Sequence, residues 1–310
     1  MVTVEAGPTG QRDIPGRVGA WVMASRPMTL PAAVAPVVVG TAMAAFRGVM
    51  EVLPAVAALV GALLIQIATI LANDYFDHKK GSDADDRVGP TRVVQAGILA
   101  PGAVLRATGF VLAAATLVGV YLVWVGGIPI LVIGILSLIC AVAYTGGPFP
   151  LAYHGLGDLF VLVFFGFIAV VGTYWVQVRE FELDLLLAGT GVGTLVTSIL
   201  VVNNLRDIAG DERAGKRTLA VRLGASGTKV EFLLLVLAAG VVPPLGVVVF
   251  GWPPWTLLAL FGLGPVLRTV DTIFTYLQPG ELNLALREVA RGVTWYSGLL
   301  AIGFVLGSYL

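Results

Sequence analysis

Hydrophobic residues in this chain come in long runs, without the alternation of a half-buried strand or the narrow stripe of a surface helix. Nine runs can be marked, at about 21–46, 52–73, 104–125, 128–145, 157–176, 184–204, 230–250, 254–270 and 292–309. A bilayer-spanning helix needs roughly 20 mostly apolar residues. The pattern therefore predicts an all-α fold, a polytopic membrane helix bundle of about nine transmembrane helices. Gly and Pro punctuate the ends of the fourth and eighth runs. Runs of this length without period-two alternation do not fit the strands of a closed barrel. Residues 1–20, with Gly7, Pro8, Gly10, Arg12, Asp13, Pro15 and Arg17, have no apolar core and read as a polar N-terminal tail. Residues 21–310 then form a single transmembrane domain.

Composition agrees with a bilayer as the solvent. The chain is 57% hydrophobic and 12% charged, with a mean hydropathy of +0.92; a soluble domain carries about twice that charge fraction. Cys140 is the single cysteine, so no intramolecular disulfide forms, and its apolar surroundings suit a small buried residue. His78 and His154 are too few for a histidine-built zinc site. The formal net charge is zero, and no basic tail points to nucleic acid. Nothing in the sequence sets an oligomeric state.

The zero net charge conceals an asymmetry. With the N-terminus cytoplasmic, 17 of the 19 Lys and Arg residues fall on the cytoplasmic side, and only Arg47 and Arg179 fall outside. That satisfies the positive-inside rule and places the protein in the cell (inner) membrane. Two polar loops, roughly 74–103 and 205–229, lie on the cytoplasmic side, and each follows a span that ends in an Asn/Asp cluster.

The two clusters echo one another. Asn73-Asp74-Tyr75-Phe76-Asp77 aligns with Asn203-Asn204-Leu205-Arg206-Asp207 at an offset of 130. Asp85-Asp86-Arg87-Val88-Gly89 aligns with Asp211-Glu212-Arg213-Ala214-Gly215 at an offset of 126, so the first loop carries four extra residues. This internal pseudo-repeat suggests a duplicated half, with a site where the halves meet.

On a helix, Asn73 and Asp77 share a face at i and i+4, as do Asn203, Asp207 and Asp211. Each cluster can then aim two or three oxygen ligands at one point. Hard divalent cations take oxygen ligands, and Mg²⁺ commonly bridges one or two carboxylates to substrate phosphates. Carboxylate clusters without His or Cys partners thus point to magnesium and phosphate more than to zinc or redox chemistry. The competing reading, solvated loop acids paired with nearby bases, suits one such cluster better than two matching ones at span ends. Lys216, Arg217 and Arg92 follow the clusters and can meet diphosphate oxygens. Lys79, Lys80 and Arg106 read as topology determinants.

Several stretches resemble the UbiA superfamily of intramembrane prenyltransferases, and most of all its 1,4-dihydroxy-2-naphthoate branch in menaquinone biosynthesis. They are Ser25-Arg26-Pro27-Met28-Thr29-Leu30-Pro31, Asn73 through Asp83, Asp86 through Pro90, Tyr144-Thr145-Gly146-Gly147-Pro148, Gly155 through Phe160, and Asn203 through Gly224. The likeness runs from about residue 21 to 225. The general pattern has an acid four residues after the second Asp of its first motif; here Gly81 stands there and Asp83 follows two later, a departure shared with the naphthoate branch.

The resemblance implies transfer of a polyprenyl group from an allylic prenyl diphosphate to an aromatic acceptor in the lipid bilayer. For dihydroxynaphthoate, CO₂ and diphosphate are lost. It further implies Mg²⁺ at Asp74, Asp77, Asp83, Asp207 and Asp211, with Asp83, Asp85 and Asp86 left as alternatives for completing the first metal site. Asp77, Asp207, Arg92 and Lys216 are the implied catalytic residues, and Asn73, Arg26, Tyr144, Asn203, Asn204 and Arg217 the implied substrate-binding ones. Arg26 would hold the acceptor carboxylate or snorkel to headgroups. Tyr75 and Tyr144 would face an allylic cation or serve packing. Asp158 suits the start of a helix in any case. Other acceptors, 4-hydroxybenzoate or homogentisate, stay open, as does a cation-binding transporter, which would want acids nearer the span centres.

Overall fold

The computed structural model describes residues 16–81 and 88–309, and these residues contain helices and no strand. In chain order the helices are α1 (Arg17–Ala24), α2 (Pro31–Phe46), α3 (Val52–Lys79), α4 (Pro101–Gly126) and α5 (Ile128–Ala143). They continue with α6 (Gly157–Val178), α7 (Asp184–Arg213), α8 (Leu219–Phe250), α9 (Pro254–Thr275) and α10 (Leu282–Gly307).

Among the described residues, seven helices are long and apolar enough to cross a membrane: α3, α4, α6, α7, α8, α9 and the Pro279–Gly307 segment containing α10. The pair Arg17–Thr29 and Pro31–Phe46, bent by 53°, is long and apolar enough only when its two parts are taken together. The sixteen-residue α5 is the remaining apolar helix. Each of the nine apolar runs therefore has a helix. The bend between α1 and α2 falls at Arg26 and Pro27, where Arg26 adopts the left-handed backbone (φ 45°) and the proline ends the first helix.

Helix ends differ from the apolar runs in one direction. α3 continues past residue 73 to Lys79, and α7 past residue 204 to Arg213. α8 begins at Leu219, not near 230, and α10 at Leu282, not near 292. Apolar runs stop where water begins. The backbone goes on winding into the polar layer, because its hydrogen bonds are internal there too.

α7 is the hub. Of its apolar window 72% is buried, against 17% for α4 at the periphery. Small residues permit the crowding. Gly189 and Gly193, four apart on α7, pack against Gly166 of α6. A Cβ added to Gly193 would stand 2.7 Å from the Gly166 Cα, and one added to Gly166 would stand 2.7 Å from the Gly189 carbonyl oxygen. This is the small-residue contact by which membrane helices approach closely. It lies beside the π-helical stretch Leu162–Ile168 of α6. Val39, Tyr174, Leu195, Phe232, Tyr296 and Phe304 fill the central core.

A smaller cluster joins Ala24, Leu71, Val93, Val94 and Val104. It seats residues 93 and 94 against α1, α3 and α4 and so fixes the segment that carries Arg92. On the outside, Phe110, Leu117 and Trp124 step by seven along α4 and are all exposed. An apolar ridge of this kind is a liability in water and natural against lipid. The protein is a polytopic membrane protein.

Candidate active site

Four segments meet at one end of the bundle: the last turns of α3, residues 88–94, the connection between α5 and α6, and the turn between α7 and α8. Asp77 is their meeting point and is only 2% exposed. Its Oδ2 accepts from Arg92 Nη1 at 2.6 Å and faces Lys216 Nζ at 3.3 Å. Its Oδ1 accepts from the Tyr153 hydroxyl at 2.8 Å. A carboxylate taken out of water must be paired and hydrogen-bonded, and these three partners meet that requirement.

The surroundings hold the partners in place. Arg92 Nη1 also donates to the Asn73 carbonyl at 3.4 Å, one turn before Asp77. The Asn73 side chain accepts from the Thr145 hydroxyl at 2.8 Å, and Lys80 Nζ donates to the Thr145 carbonyl at 2.7 Å. Lys80 and Lys216 lie over the Tyr153 ring, 4.3 and 4.9 Å from its centre. Burial holds the Lys80 ammonium below the ordinary lysine pKa, against the opposing pull of Asp77. Backbone contacts fix the loops: Arg217 N–H donates to the Tyr153 carbonyl at 3.1 Å, and Lys216 N–H donates to the Asp211 carbonyl at 2.8 Å.

The second motif is arranged differently. Arg206 is buried and donates twice to Asp207, at 2.8 and 2.7 Å. It also donates to Asn203 Oδ1 at 2.7 Å and to Asn283 Oδ1 at 2.9 Å. Asn204 is buried next to this fork.

Of the residues marked from sequence, the structure thus gathers Asn73, Asp77, Arg92 and Lys216 at one point. Asn203 and Asp207 meet at a second point. Asp74, one residue into the first motif, is buried and accepts from Val94 N–H at 3.3 Å, which ties the Arg92 segment to α3. The Tyr144 hydroxyl lies against the start of α6, where a Cβ added to Gly157 would stand 3.0 Å from it. Arg217 is exposed and lines a polar cavity of about 360 Å³ with Lys216, Arg222 and Glu212. Arg26 sits half-buried at the α1–α2 bend. Asp83, Asp85 and Asp86 lie outside the described residues.

Three participants escaped the sequence reading. Tyr153 bonds Asp77 directly, where Tyr75 and Tyr144 had been the aromatic candidates. Lys80, read as a topology residue, sits on the Tyr153 ring. Arg206, a plain motif position in sequence, is the cation of the second cluster. For Tyr153 the signal was weak: one aromatic in a loop between Pro150 and Gly155.

Among the described residues no group of three His, Cys, Asp or Glu side chains converges on one point. The donors on offer are carboxylate and amide oxygens on two helix ends, with cations bonded to them. That set suits a hard divalent ion whose remaining ligands come from a phosphate-bearing substrate.

A bundle of membrane helices with paired acid motifs at one end defines an intramembrane prenyltransferase, and residues 33–277 match the model of the UbiA prenyltransferase family, so the chain belongs to that family. It is 36% identical over 299 residues to the 1,4-dihydroxy-2-naphthoate octaprenyltransferase of Escherichia coli (strain K12), covering 94% of this chain and 97% of that one. It is 38% identical over 287 residues to the protein of the same name from Mycobacterium tuberculosis (strain ATCC 25618 / H37Rv), covering 91% and 97%. Among solved structures, the apo UbiA homolog from Aeropyrum pernix K1 is similar with a TM-score of 0.64 at 17% identity, over 94% of this chain and 99% of that one. A UbiA homolog from Archaeoglobus fulgidus bound to GPP and Mg²⁺ is similar with a TM-score of 0.61 at 12% identity, over 94% and 100%. At such identities the likeness speaks for the fold.

Proposed function

We propose that the protein transfers a polyprenyl group from an allylic prenyl diphosphate to 1,4-dihydroxy-2-naphthoate, releasing diphosphate and CO₂ and giving a demethylmenaquinone in its reduced, quinol form. The observation that carries this reading is Asp77, buried and shared by Arg92, Lys216 and Tyr153 from three separate segments. The names and high coverage of the sequence relatives favour the naphthoate acceptor.

Asp74, Asp77, Asp83, Asp207 and Asp211 would hold Mg²⁺. When bound, the ion neutralises the diphosphate and makes it a better leaving group. The chain's own residues do the rest. Arg92 and Lys216, now balanced by Asp77, gain a second anionic partner when a diphosphate arrives between the motifs, and their charge then opposes the negative charge that builds on the leaving oxygens. Arg217, in the polar cavity beside Lys216, lies on the approach to that point. Asn73, Asn203 and Asn204 orient the headgroup, and the Tyr144 ring faces the allylic carbon. Arg26 takes the acceptor carboxylate. As the allylic C–O bond breaks, its electron pair leaves with the diphosphate. The electron-rich ring supplies the pair for the new C–C bond, and loss of CO₂ returns a pair to the ring.

The positive-inside asymmetry supports a cytoplasmic N-terminus and cytoplasmic active-site loops in the cell (inner) membrane. The experiment is an acceptor panel. Membranes containing the protein are incubated with a radiolabelled prenyl diphosphate, Mg²⁺ and one ring at a time. The expected product forms with dihydroxynaphthoate. Label appearing on 4-hydroxybenzoate or homogentisate, and not on dihydroxynaphthoate, overturns the assignment.

A further inference from the structure

Asn283 opens α10, beyond the end of the family match at residue 277 and far in sequence from both motifs. Its one side chain touches the second motif and the segment that leads to Arg92. Arg206 Nη1 donates to Asn283 Oδ1 at 2.9 Å, and Asn283 Nδ2 donates to the Val88 carbonyl at 3.2 Å. Chemistry fixes which way the amide points. A guanidinium only donates, so the amide oxygen must face Arg206, and the NH₂ is left for a carbonyl.

Each contact leads to one half of the site. Behind Arg206 stand Asp207 and Asn203, bonded to the same guanidinium at 2.7–2.8 Å. Val88 lies four residues before Arg92, whose Nη1 is 2.6 Å from Asp77. The turn entering α10 is itself fixed, because Gln278 N–H donates to Glu281 Oε1 at 2.9 Å within a capping box. A single amide on a fixed turn therefore joins the second motif to the segment that delivers Arg92 to the first.

We infer that Asn283 is a positioning residue that ties the Arg92 segment to the second motif and sets the two halves of the diphosphate site in one register. Its kinetic consequence rests on the prenyl-transfer reading; the tie itself does not. A diphosphate that draws Arg206 or Asp207 toward itself is felt at Arg92 through this amide.

Two substitutions separate the two contacts. Asn283→Asp keeps an oxygen for Arg206 but has no N–H for Val88, and Asn283→Ala loses both. In purified protein, amide hydrogen exchange over residues 92–98 is expected to quicken about tenfold in both variants, the scale of one lost hydrogen bond. Exchange over residues 203–207 is expected to quicken only in Asn283→Ala. The KM for prenyl diphosphate rises in both variants by a similar factor, while the KM for the aromatic acceptor does not move. Wild-type exchange over 92–98 together with a wild-type KM in Asn283→Asp overturns the proposal, because Asn283 then serves only as an acceptor for Arg206. Should Asn283→Ala fail to fold, Asn283→Asp alone decides. If the wild-type protein prenylates no aromatic ring, the functional reading fails while the exchange result still stands or falls by itself.

Discussion

Asp77 and Asp207 occupy matching places, near the C-terminal ends of α3 and α7, and they are neutralised in different ways. Asp77 takes its partners from afar: Arg92 beyond the end of α3, Tyr153 between α5 and α6, and Lys216 beyond the end of α7. Among the described residues, Asp207 is held by its neighbour in sequence, Arg206, which Asn203 and Asn283 also hold. The first cluster exists only once four segments of the bundle have come together. The second is largely local to one helix. The repeated motif thus gives one site assembled from several segments and one whose acid is held mainly by its neighbour on the same helix. Removing an acid should accordingly cost stability in one case more than in the other, although the proposed reaction uses both acids.

The largest effects test that contrast. Asp77→Ala and Asp207→Ala should each lower prenyl transfer by roughly 10²–10³ or more, the scale of a lost electrostatic contributor at a reacting centre. Their stabilities should part. Asp77→Ala takes from the buried Arg92 and Lys216 the carboxylate that they share, a loss of about 3–5 kcal/mol for a broken buried pair. Asp207→Ala leaves Arg206 still bonded to two amide oxygens and should cost less, about 1.5–3 kcal/mol for the lost charge-assisted contact. Thermal unfolding in detergent reads the difference, and equal losses would erase the distinction drawn between the motifs.

Arg92→Lys sharpens the first half of the comparison. Lysine keeps the charge, but its shorter side chain does not bring a donor to the place of Nη1, which reaches Asp77 and the Asn73 carbonyl together. Turnover should fall roughly 10–100-fold, the worth of one charge-assisted hydrogen bond. Arg206→Lys should instead act first on stability, since that guanidinium holds three side chains. Tyr153→Phe should give the smallest effect. It removes one hydroxyl from Asp77 while leaving the ring under Lys80 and Lys216, and turnover should fall roughly three- to tenfold.

Much of this was legible in the sequence. The nine apolar runs each correspond to a helix, because bilayer thickness sets a length that hydropathy can count. The ends were not legible. The runs stop at the water, while α3 and α7 carry their motifs two further turns, to Lys79 and Arg213. That extension is why Asn73 and Asp77 behave as helix neighbours, as their spacing suggested. The acids and the cations Arg92 and Lys216 could be marked because charge is rare in this chain. Tyr153, Lys80 and Asn283 could not. A loop tyrosine reads as an interface residue, a lysine at a cytoplasmic helix end reads as topology, and a lone Asn in a helix start carries no pattern. Each acquires its role from a contact across 65 or more residues, such as Lys80 with Thr145 or Tyr153 with Asp77.

The central claim is that Asp77, with its assembled cations, receives a magnesium-complexed diphosphate. The most direct measurement is binding of a non-reactive prenyl diphosphate analogue to purified protein as Mg²⁺ is titrated, with Asp77→Asn alongside the wild type. Asparagine keeps the shape of the side chain and removes its charge. The account predicts saturable, Mg²⁺-dependent binding to the wild type and loss of that Mg²⁺ dependence in Asp77→Asn, with the variant still inserted and folded. Binding that is equally tight and equally Mg²⁺-dependent in both proteins would contradict it.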